Sequence, residues 1–458
     1  MKTECGVFGI FSLNKNYILE ELILGLKQIQ HRGQESCGLS IYHNNKHNYK
    51  TNNILYHKGN GLIDNVLKNF YLNTYEINTA ISHVRYSTSG NKEKKLEYVQ
   101  PINDNFEKEP FSISFNGNIP TMKKLYPELE IDTYGIIKFI KESKNNFVNT
   151  LIDFQNKIVG VYCIIIIYKN ELYILRDRYG VRPLSIGINQ NKDRYCVASE
   201  TICFNPINYT LVRSVDKGEI LKIGFKGIEI IYKHSNIFST HCLFEYIYFS
   251  NPNSFIDSIS VCDFREFSGK QLAINDLKNC FFNSSQTIVV GCPSSGIISG
   301  KSYADKSNLI YKQIIKRNKN TNRTFIMSSQ EERIEHLKKK YYFEKEDIEN
   351  KVIIIVDDSI VRGNTLNILL EQLKLNNPKE IHMRIASPPV ISNCFFGIDI
   401  PTKEELIYNK YPSEELLTEY YKINSFKYLP LETILQTYNN EFCISCFNGK
   451  YNKEILGW

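Results

Sequence analysis

The 458-residue chain lacks the features that mark membrane, secreted and nucleic-acid-binding proteins. Its longest strongly apolar run, 159–168, has the length of a strand and falls well short of the roughly 20 residues that a membrane-spanning helix needs. The residues before Cys5 are too few and too polar for a signal peptide. The net charge of +7 is small for this length, which suits an anionic small substrate and does not favour nucleic acid. We therefore expect a cytoplasmic enzyme with no membrane or nucleic-acid partner.

A disulfide framework is not expected either, although the chain has 12 cysteines. A reducing compartment keeps thiols free, so some of these cysteines need another explanation. Cys443 and Cys446 form a Cys-x-x-Cys pair, and this spacing alone fits zinc, redox chemistry or chance.

The length predicts two or three domains, and the pattern changes near residue 240. Before that point, short β-branched runs separated by turns predict stacked sheets, with helices at about 19–30 and 133–144. After it, helices alternate with strands, including a strand at 351–356 and a helix at 365–375. This alternation predicts an α/β domain with a parallel sheet.

Cys5 is the first candidate catalytic residue, because it lies near the start of the chain and leads directly into a strand. An isolated cysteine of this kind is usually a small buried hydrophobe. The catalytic interpretation is a thiol whose own α-amino group, with a pKa of about 7.7–8.0, acts as its base. That chemistry requires removal of residues 1–4, since an amide nitrogen is not a base.

Three polar segments accompany Cys5, at 31–35, 83–90 and 115–118. A thiolate that attacks a carboxamide creates an oxyanion, which needs fixed donors such as an Asn side chain and a Gly backbone N–H. The carboxylate of a glutamine substrate is matched by a guanidinium, which Arg85 offers. Each segment taken singly also fits an ordinary turn or a surface arginine.

Together these residues resemble the class II, or N-terminal-nucleophile, glutamine amidotransferases over about residues 5–235. The resemblance implies an αββα sandwich in which Cys5 is the nucleophile and Asn116 with Gly117 forms the oxyanion hole. The sequence departs from this family at Phe115, where a histidine is usual. The residues that the resemblance assigns to glutamine binding are Arg85, Thr88 and Asp132.

In the second half, the apolar strand 351–356 ends in Asp357 and Asp358, followed by a small-residue loop and a helix. Acids at the carboxyl end of a parallel strand lie where α/β sheets bind ligands. A loop that enters a helix offers backbone N–H groups to phosphate. The alternative is a plain strand-to-helix turn with an acidic cap.

The loop resembles that of the type I phosphoribosyltransferases, in which the acids contact ribose hydroxyls and Mg²⁺ and the loop binds the 5′-phosphate. By this resemblance Ser295, Asp357 and Asp358 are the magnesium ligands. Ser294 stands where the family usually has an acid, and 318–320 departs from its flexible loop. The further residues expected to bind the substrate are Ser359, Arg362, Gly363, Asn364 and Thr365.

Four more segments, 242–250, 323–326, 387–389 and 397–407, extend the resemblance to the iron–sulfur branch of the amidophosphoribosyltransferase family. That family makes 5-phosphoribosylamine, glutamate and pyrophosphate in the first committed step of purine synthesis. Its partners are glutamine and phosphoribosyl pyrophosphate, and purine nucleotides are its feedback inhibitors. The resemblance also implies a homo-oligomer, namely a tetramer. The cysteines implied to bind a 4Fe-4S cluster, with structural zinc as the alternative, are Cys242, Cys394, Cys443 and Cys446.

The predicted organisation is a propeptide at 1–4, a glutaminase domain at 5–240 and a phosphoribosyltransferase domain at 241–458 with a C-terminal cysteine-bearing segment. Two alternatives remain from the sequence. One is another class II amidotransferase such as a glucosamine-6-phosphate synthase, against which the Asp357-Asp358 loop argues. The other is a non-catalytic regulatory homologue.

Overall fold

A computed structural model describes residues 5–43, 53–68, 76–86, 96–235, 240–279, 282–317, 341–400, 402–438 and 441–456. The predicted propeptide, Thr88, 318–320 and 323–326 lie outside these ranges. No helix within them is long and apolar enough to cross a membrane.

The N-terminal half contains two antiparallel sheets, with strands numbered here in chain order. In spatial order, the seven-stranded sheet consists of β11 (Tyr209–Ser214), β9 (Ser185–Asn189), β10 (Arg194–Ala198), β1 (Gly6–Asn16), β4 (Ile77–Arg85), β2 (Ser36–Tyr42) and β3 (Ile54–Asn60). The six-stranded sheet consists of β13 (Gly227–Lys233), β12 (Glu219–Gly224), β8 (Glu171–Arg176), β7 (Val161–Tyr168), β6 (Glu109–Asn118) and β5 (Ile102–Phe106). The helices are α1 (Leu19–Gln28), α2 (Ile63–Val66), α3 (Pro120–Leu125), α4 (Asp132–Glu142) and α5 (Phe147–Lys157), with 3₁₀ turns at Gln30–Arg32 and Thr201–Ile207.

Alternation along β7 explains how these layers form. Ile165 belongs to the core between the two sheets, together with Phe11 of β1. Its neighbour Ile164 belongs to the core beneath the helices, together with Phe154 of α5. Both faces of the strand are therefore buried, which accounts for its continuous apolar sequence. A third core packs α1 against the other face of the first sheet. The predicted αββα sandwich is confirmed.

The C-terminal half contains a five-stranded parallel sheet with helices on both faces. In spatial order its strands are β18 (Ile310–Tyr311), β17 (Thr287–Gly291), β21 (Val352–Asp357), β22 (Glu380–Ile385) and β23 (Ser425–Tyr428). The short paired strands are β14 (His241–Cys242), β15 (Phe255–Ile256), β16 (Ile259–Ser260), β19 (Ile315–Arg317), β20 (Tyr341–Phe343) and β24 (Phe442–Cys443). The helices are α6 (Val261–Asn279), α7 (Ile297–Ser307), α8 (Asn364–Lys374), α9 (Ile407–Lys410), α10 (Glu414–Tyr421), α11 (Leu431–Thr437), α12 (Ser445–Asn448) and α13 (Lys453–Leu456), with single turns at Glu245–Phe249, Lys345–Asp347 and Lys403–Glu405.

The strand β21 again shows the alternation. Ile354 packs with Tyr303 of α7 on one face, and Ile355 packs with Leu369 of α8 on the other. A parallel strand buried on both faces reads as a continuous apolar run, as this one does. The predicted α/β domain is confirmed.

The junction between the halves is one continuous core rather than a linker. Val181 of the first half packs in the same cluster as Phe244 and Phe447 of the second. Backbone bonds reinforce this core, because Cys242 N donates to Val181 O at 3.1 Å. The boundary near residue 240 stays a prediction, since the residues that follow it pack on both halves.

Candidate active sites and cysteine group

Cys5 lies at the end of the first sheet, beside the predicted glutamine-binding arginine. It directly precedes β1, whose Gly6 is opposite Val84 of β4. The Cys5 thiol donates to the carbonyl of Tyr86, with Sγ and O 3.6 Å apart. Arg85, the last residue of β4, is buried, and its guanidinium lies 5.7 Å from the ring centre of Tyr98. The antiparallel pairing therefore places Cys5, the predicted nucleophile, close to Arg85.

Asn116 and Gly117 end β6 of the second sheet, and a contact between the sheets brings them towards Cys5. His83 of β4, next to Val84, lies with Nε2 3.0 Å from the carbonyl oxygen of Phe115. Burial lowers the pKa of His83 to about 3, so this ring is neutral and Nε2–H is the donor. The Phe115 N–H is bound by Gln100 Oε1 at 2.6 Å. Both backbone groups of Phe115 are thus fixed by buried side chains.

The pair itself has the properties of an oxyanion site. The Asn116 side chain is buried, and its Nδ2 has no hydrogen-bond partner in the described part of the chain. Gly117 has a φ of +155°, and a Cβ there would lie 2.0 Å from the carbonyl oxygen of Val161. This position therefore requires glycine. An unengaged buried amide is the type of donor that a developing oxyanion needs.

Asp132 lies close to the same strand end. It is the first residue of α4, and its Oδ2 accepts from Ile119 N at 2.8 Å, three residues beyond Asn116. Burial raises the pKa of Asp132 to about 6, although the Ile119 hydrogen bond and Lys123 act in the opposite direction. Three predicted glutamine-site elements are thus gathered at one end of the sandwich, and Thr88 lies outside the described residues.

The predicted phosphoribosyl residues also converge, because β17 and β21 are adjacent and parallel. Their carboxyl ends lie side by side, and Cys292 N donates to Val356 O at 2.8 Å. A Cβ on Gly296 would lie 2.4 Å from the same oxygen. The turn that carries Ser295 therefore rests directly against the strand that carries Asp357.

Asp358 is the most unusual group of this second site. It is 4% exposed, and Ser359 Oγ donates to its Oδ1 at 2.7 Å. Burial raises its pKa, while hydrogen bonds from Ser295 and Ser359 and the charge of Arg265 act to lower it. Its Oδ2 has no hydrogen-bond partner among the residues that the structure describes. An incompletely satisfied buried carboxylate beside a serine is a suitable group for a hard cation.

The loop after Asp358 leads into the N-terminus of α8. Gly363 has a φ of +76°, and a Cβ there would lie 2.3 Å from Tyr421 Oη, so glycine is required. Asn364 and Thr365 form the first turn of the helix, an arrangement that favours phosphate. Arg362 is partly exposed, with Nε 2.8 Å from Glu405 Oε2.

Four cysteines predicted to act together share one region at the junction. Cys242 of β14 is the register partner of Cys443 of β24. The carbonyl of Cys446 accepts from the backbone of 391–392, just before Cys394. Burial raises the pKa of Cys446 well above its usual value, and the charges of the other three thiolates raise it further. None of the cysteines that the structure describes takes part in a disulfide.

The side chains as they stand do not form a closed metal site. Within the described ranges, no group of three or more His, Cys, Asp or Glu side chains is arranged to hold a metal ion. The structure therefore brings the four predicted cysteines into one neighbourhood without closing them around a centre.

The structure also contains a buried network of charged residues around Arg32, to which the sequence assigned no role. Arg32 is 1% exposed, and its Nη1 donates to Glu200 Oε1 at 2.7 Å and its Nη2 to Glu245 Oε1 at 2.6 Å. Arg32 and Glu245 occur in segments that carried the resemblance, 31–35 and 242–250, but only as parts of the pattern. The available signal was a charge inside an apolar segment, as at Glu245 within 242–249.

The chain combines two known domain types, a glutamine amidotransferase domain that matches residues 84–206 and a phosphoribosyl transferase domain that matches residues 266–386. It is therefore a glutamine amidotransferase fused to a phosphoribosyltransferase. Relatives that align with almost the whole chain are amidophosphoribosyltransferases, and the chain belongs to that family, the glutamine-dependent phosphoribosyl-pyrophosphate amidotransferases of purine biosynthesis.

The amidophosphoribosyltransferase of Bacillus subtilis is 33% identical over 477 residues, covering 99% of this chain and 95% of that protein. The amidophosphoribosyltransferase of Methanothermobacter thermautotrophicus is 32% identical over 98% of this chain and 95% of its own length. The chloroplastic enzyme of Vigna aconitifolia is 33% identical over 98% and 91%.

A solved structure of the Bacillus subtilis glutamine phosphoribosyl-pyrophosphate amidotransferase, complexed with ADP and GMP, superposes with a TM-score of 0.84. It is 32% identical, and the match covers 98% of each chain. These relatives support neither a sugar-isomerase partner domain nor a non-catalytic role.

Proposed function

We propose that the two half-reactions of this glutamine-dependent phosphoribosyltransferase are carried by the residues gathered at the two sites, with Cys5 as the nucleophile. The observation that carries the proposal is the chain of contacts from Cys5 to the oxyanion donors. Gly6 pairs with Val84, and the neighbouring His83 binds the carbonyl of Phe115, directly before Asn116. This contact between the two sheets supports a glutamine site shared by Cys5 and the proposed oxyanion donors.

In the first half-reaction, the Cys5 thiolate attacks the side-chain carbonyl of glutamine. The Asn116 amide and the Gly117 N–H stabilise the resulting oxyanion. The α-amino group of Cys5 takes the thiol proton and returns it to the departing nitrogen, which leaves as ammonia. Water then hydrolyses the glutamyl thioester to glutamate. This scheme requires that residues 1–4 have been removed, because only then is the nitrogen of Cys5 an amine.

Glutamine itself is held at both of its α-substituents. Arg85 offers a guanidinium fork to the carboxylate, and Asp132 offers a carboxylate to the ammonium group. Thr88 is proposed to assist Arg85. Since burial raises the pKa of Asp132 to about 6, it carries its charge near neutral pH and loses it in mild acid.

The departure at Phe115 does not remove a reacting group. The Phe115 side chain lies in the core beneath α4 and α5, on the opposite side of the sheet from the core between the two sheets. Only its backbone is linked to the site, through His83 and Gln100. A second departure, Ser294, is exposed in the turn before Ser295.

In the second half-reaction, ammonia attacks C1 of phosphoribosyl pyrophosphate and pyrophosphate leaves. The loop from Ser359 through Thr365 holds the 5′-phosphate at the N-terminus of α8. Ser295, Asp357 and Asp358 are the residues that would hold Mg²⁺, and the open Oδ2 of Asp358 fits that role among the described residues. When bound, the cation supplies charge neutralisation for the departing pyrophosphate.

The four junction cysteines are proposed to hold a 4Fe-4S cluster, with structural zinc as the alternative. Burial raises the pKa values of Cys394, Cys443 and Cys446, so four thiolates here would need compensating positive charge. A shared centre would connect the C-terminal segment to both halves. We also propose purine nucleotides as feedback inhibitors, since the Bacillus subtilis enzyme was solved with ADP and GMP. A cytoplasmic location and a homotetramer remain predictions.

The test is an assay of purified protein with glutamine and phosphoribosyl pyrophosphate, combined with intact-mass analysis. The expected result is formation of glutamate, pyrophosphate and phosphoribosylamine by a chain that begins at Cys5. Active protein that still carries residues 1–4 would overturn the assignment of the α-amino group as base.

A further inference from the structure

The buried network around Arg32 extends from the glutaminase nucleophile into the second half of the chain. Arg32 Nε donates to the carbonyl oxygen of Cys5 at 3.2 Å. Both nitrogens of its fork bind Glu245, with Nη1 at 2.9 Å from Oε2 and Nη2 at 2.6 Å from Oε1. Glu245 follows β14 and is 1% exposed. One guanidinium thus joins the backbone of Cys5 to a carboxylate of the second half.

The network is balanced in charge, which explains why it stays ionised when buried. Two arginines, Arg32 and Arg182, are matched by two acids, Glu200 and Glu245. Burial alone would raise the pKa of Glu200, but His31 and Arg32 outweigh it and lower the pKa to about 2. Removing one member would therefore leave an uncompensated charge inside the protein.

The position of Glu245 is fixed by groups of the second half. Ser250 Oγ donates to Glu245 Oε2 at 2.7 Å. Arg265 of α6 holds the segment around Glu245 through the carbonyls of Tyr246, Tyr248 and Ser250. Arg265 in turn lies within the electrostatic reach of Asp358 of the phosphoribosyl site. The carboxylate that orients Arg32 is thus held by the domain that consumes ammonia.

We infer that Glu245 is a positioning residue for Cys5, acting through Arg32 across the boundary between the halves. Arg32 holds the backbone carbonyl of Cys5, which is bonded to the same Cα as the amine and the thiol side chain. Fixing this carbonyl sets the direction of both the amine and the thiol relative to the oxyanion donors. The inference rests on the proposed role of Cys5 as nucleophile. Glu245 touches neither substrate, so its effect belongs to the rate of the glutamine reaction rather than to glutamine affinity.

The test is a double-mutant cycle on the full-length protein, using Glu245→Gln, Arg32→Met and the double variant. We expect Glu245→Gln to lower kcat for glutamine hydrolysis about tenfold or more, because misplacing a reacting group by about 1 Å costs up to roughly a hundredfold. KM for glutamine should change little. The rate of ammonia-dependent phosphoribosylamine synthesis should stay within about twofold of the unmodified protein. In the Arg32→Met background, the additional effect of Glu245→Gln on kcat should disappear.

The matched control is Glu219→Gln. Glu219 is also fully buried and paired with an arginine, with Oε2 2.7 Å from Arg213 Nη1, but it belongs to β12. The Glu219→Gln variant should leave kcat for glutamine hydrolysis unchanged. If the Glu245 variant does not fold, Ser250→Ala removes one hydrogen bond to the same carboxylate without stranding a charge. The expected result is then a smaller loss of kcat that also vanishes in the Arg32→Met background.

Additive effects of the Arg32 and Glu245 substitutions, or equal losses of glutamine-dependent and ammonia-dependent synthesis, would overturn the inference. Cys5→Ala separates this outcome from failure of the proposed function. If Cys5→Ala still hydrolyses glutamine, the nucleophile assignment is wrong. If Cys5→Ala abolishes hydrolysis while Glu245→Gln and Ser250→Ala leave it intact, only the positioning role is wrong.

Discussion

The two candidate sites differ in how completely the protein satisfies its own buried charges. Beside Cys5, the buried Arg32 is paired with two buried acids, Glu200 and Glu245. At the carboxyl end of β21, Asp358 is buried with one oxygen left without a hydrogen bond among the described residues. We therefore expect a bound cation to complete the second site, whereas the charges of the Arg32 network are matched within the chain.

This difference follows from where each site lies in the fold. The glutaminase site is formed where two sheets meet, so side chains such as His83 reach from one sheet to the backbone of the other. The candidate phosphoribosyl site lies at the carboxyl end of the central strand of the parallel sheet, where loops and a helix N-terminus are expected to face a ligand. The contrast predicts that substitutions at the two sites will separate the two half-reactions.

The largest effect is expected from Asp358→Asn. The substitution removes the incompletely satisfied charge, so phosphoribosyl transfer should fall at least about a thousandfold with either glutamine or ammonia as nitrogen source, mainly in kcat. Glutamine hydrolysis measured without the second substrate should stay within a few fold of the unmodified rate. Asp357→Asn should show the same pattern. Normal transfer by both variants would show that this loop is not the substrate site.

The oxyanion donor should have the next largest effect, on the other half-reaction. Asn116→Ala removes one donor, which is worth about 10²–10³ in kcat for glutamine hydrolysis. Ammonia-dependent synthesis should be unchanged. The matched control is Asn118→Ala two residues later, because Asn118 Nδ2 instead binds Phe395 O at 2.7 Å. Equal losses in the two variants would contradict the assignment of Asn116 as the donor.

The junction cysteines test whether a metal centre ties the halves together. Anaerobically purified protein should be brown, with about four irons and four sulfides per chain. Cys446→Ser should lower the metal content and the thermal stability together, because metal binding is then part of the folding free energy. The matched control is Cys203→Ser, since Cys203 is buried in the core under α1, away from the junction.

If the protein is colourless and contains one zinc per chain and no sulfide, the four cysteines bind structural zinc and not an iron–sulfur cluster. Metal-free protein of full stability, insensitive to Cys446→Ser, would contradict both.

The smallest effect concerns the acid limb of the pH profile. Burial raises the pKa of Asp132 to about 6, so below that pH the carboxyl is neutral and cannot pair with the glutamine ammonium group. We expect kcat/KM for glutamine to lose roughly a further factor of ten per pH unit below about 6, beyond the loss from protonation of the Cys5 amine. Asp132→Asn should lower kcat/KM at neutral pH and abolish this extra limb. An unchanged limb in that variant would assign the titration to another group.

The sequence predicted the layers and the strand ends well, because a strand that is buried on both faces has a continuous apolar sequence. The apolar run at 159–168 and the strand before Asp357 are examples. Helix bounds were less exact, since the first helix ends at Gln28 and continues as a 3₁₀ turn, and α5 was not predicted.

The candidate sites were predictable only where chemistry imposes a residue type. Gly117 and Asp358 belong to that kind, since Gly117 lacks room for a Cβ and Asp358 directly follows a strand at the carboxyl end of the sheet. The Arg32–Glu245 pair was not predictable, because it joins residues 213 positions apart and depends on how the halves pack. Contacts of this range leave no periodic signal in a single sequence.

The central claim is that Cys5 supplies ammonia to a second site that works independently of it. The most direct measurement is synthesis of phosphoribosylamine by the Cys5→Ala variant with glutamine and, separately, with ammonia. The account predicts loss of essentially all glutamine-dependent synthesis, with ammonia-dependent synthesis close to that of the unmodified protein. Substantial glutamine-dependent synthesis by this variant, or equal loss with both nitrogen sources, would contradict it.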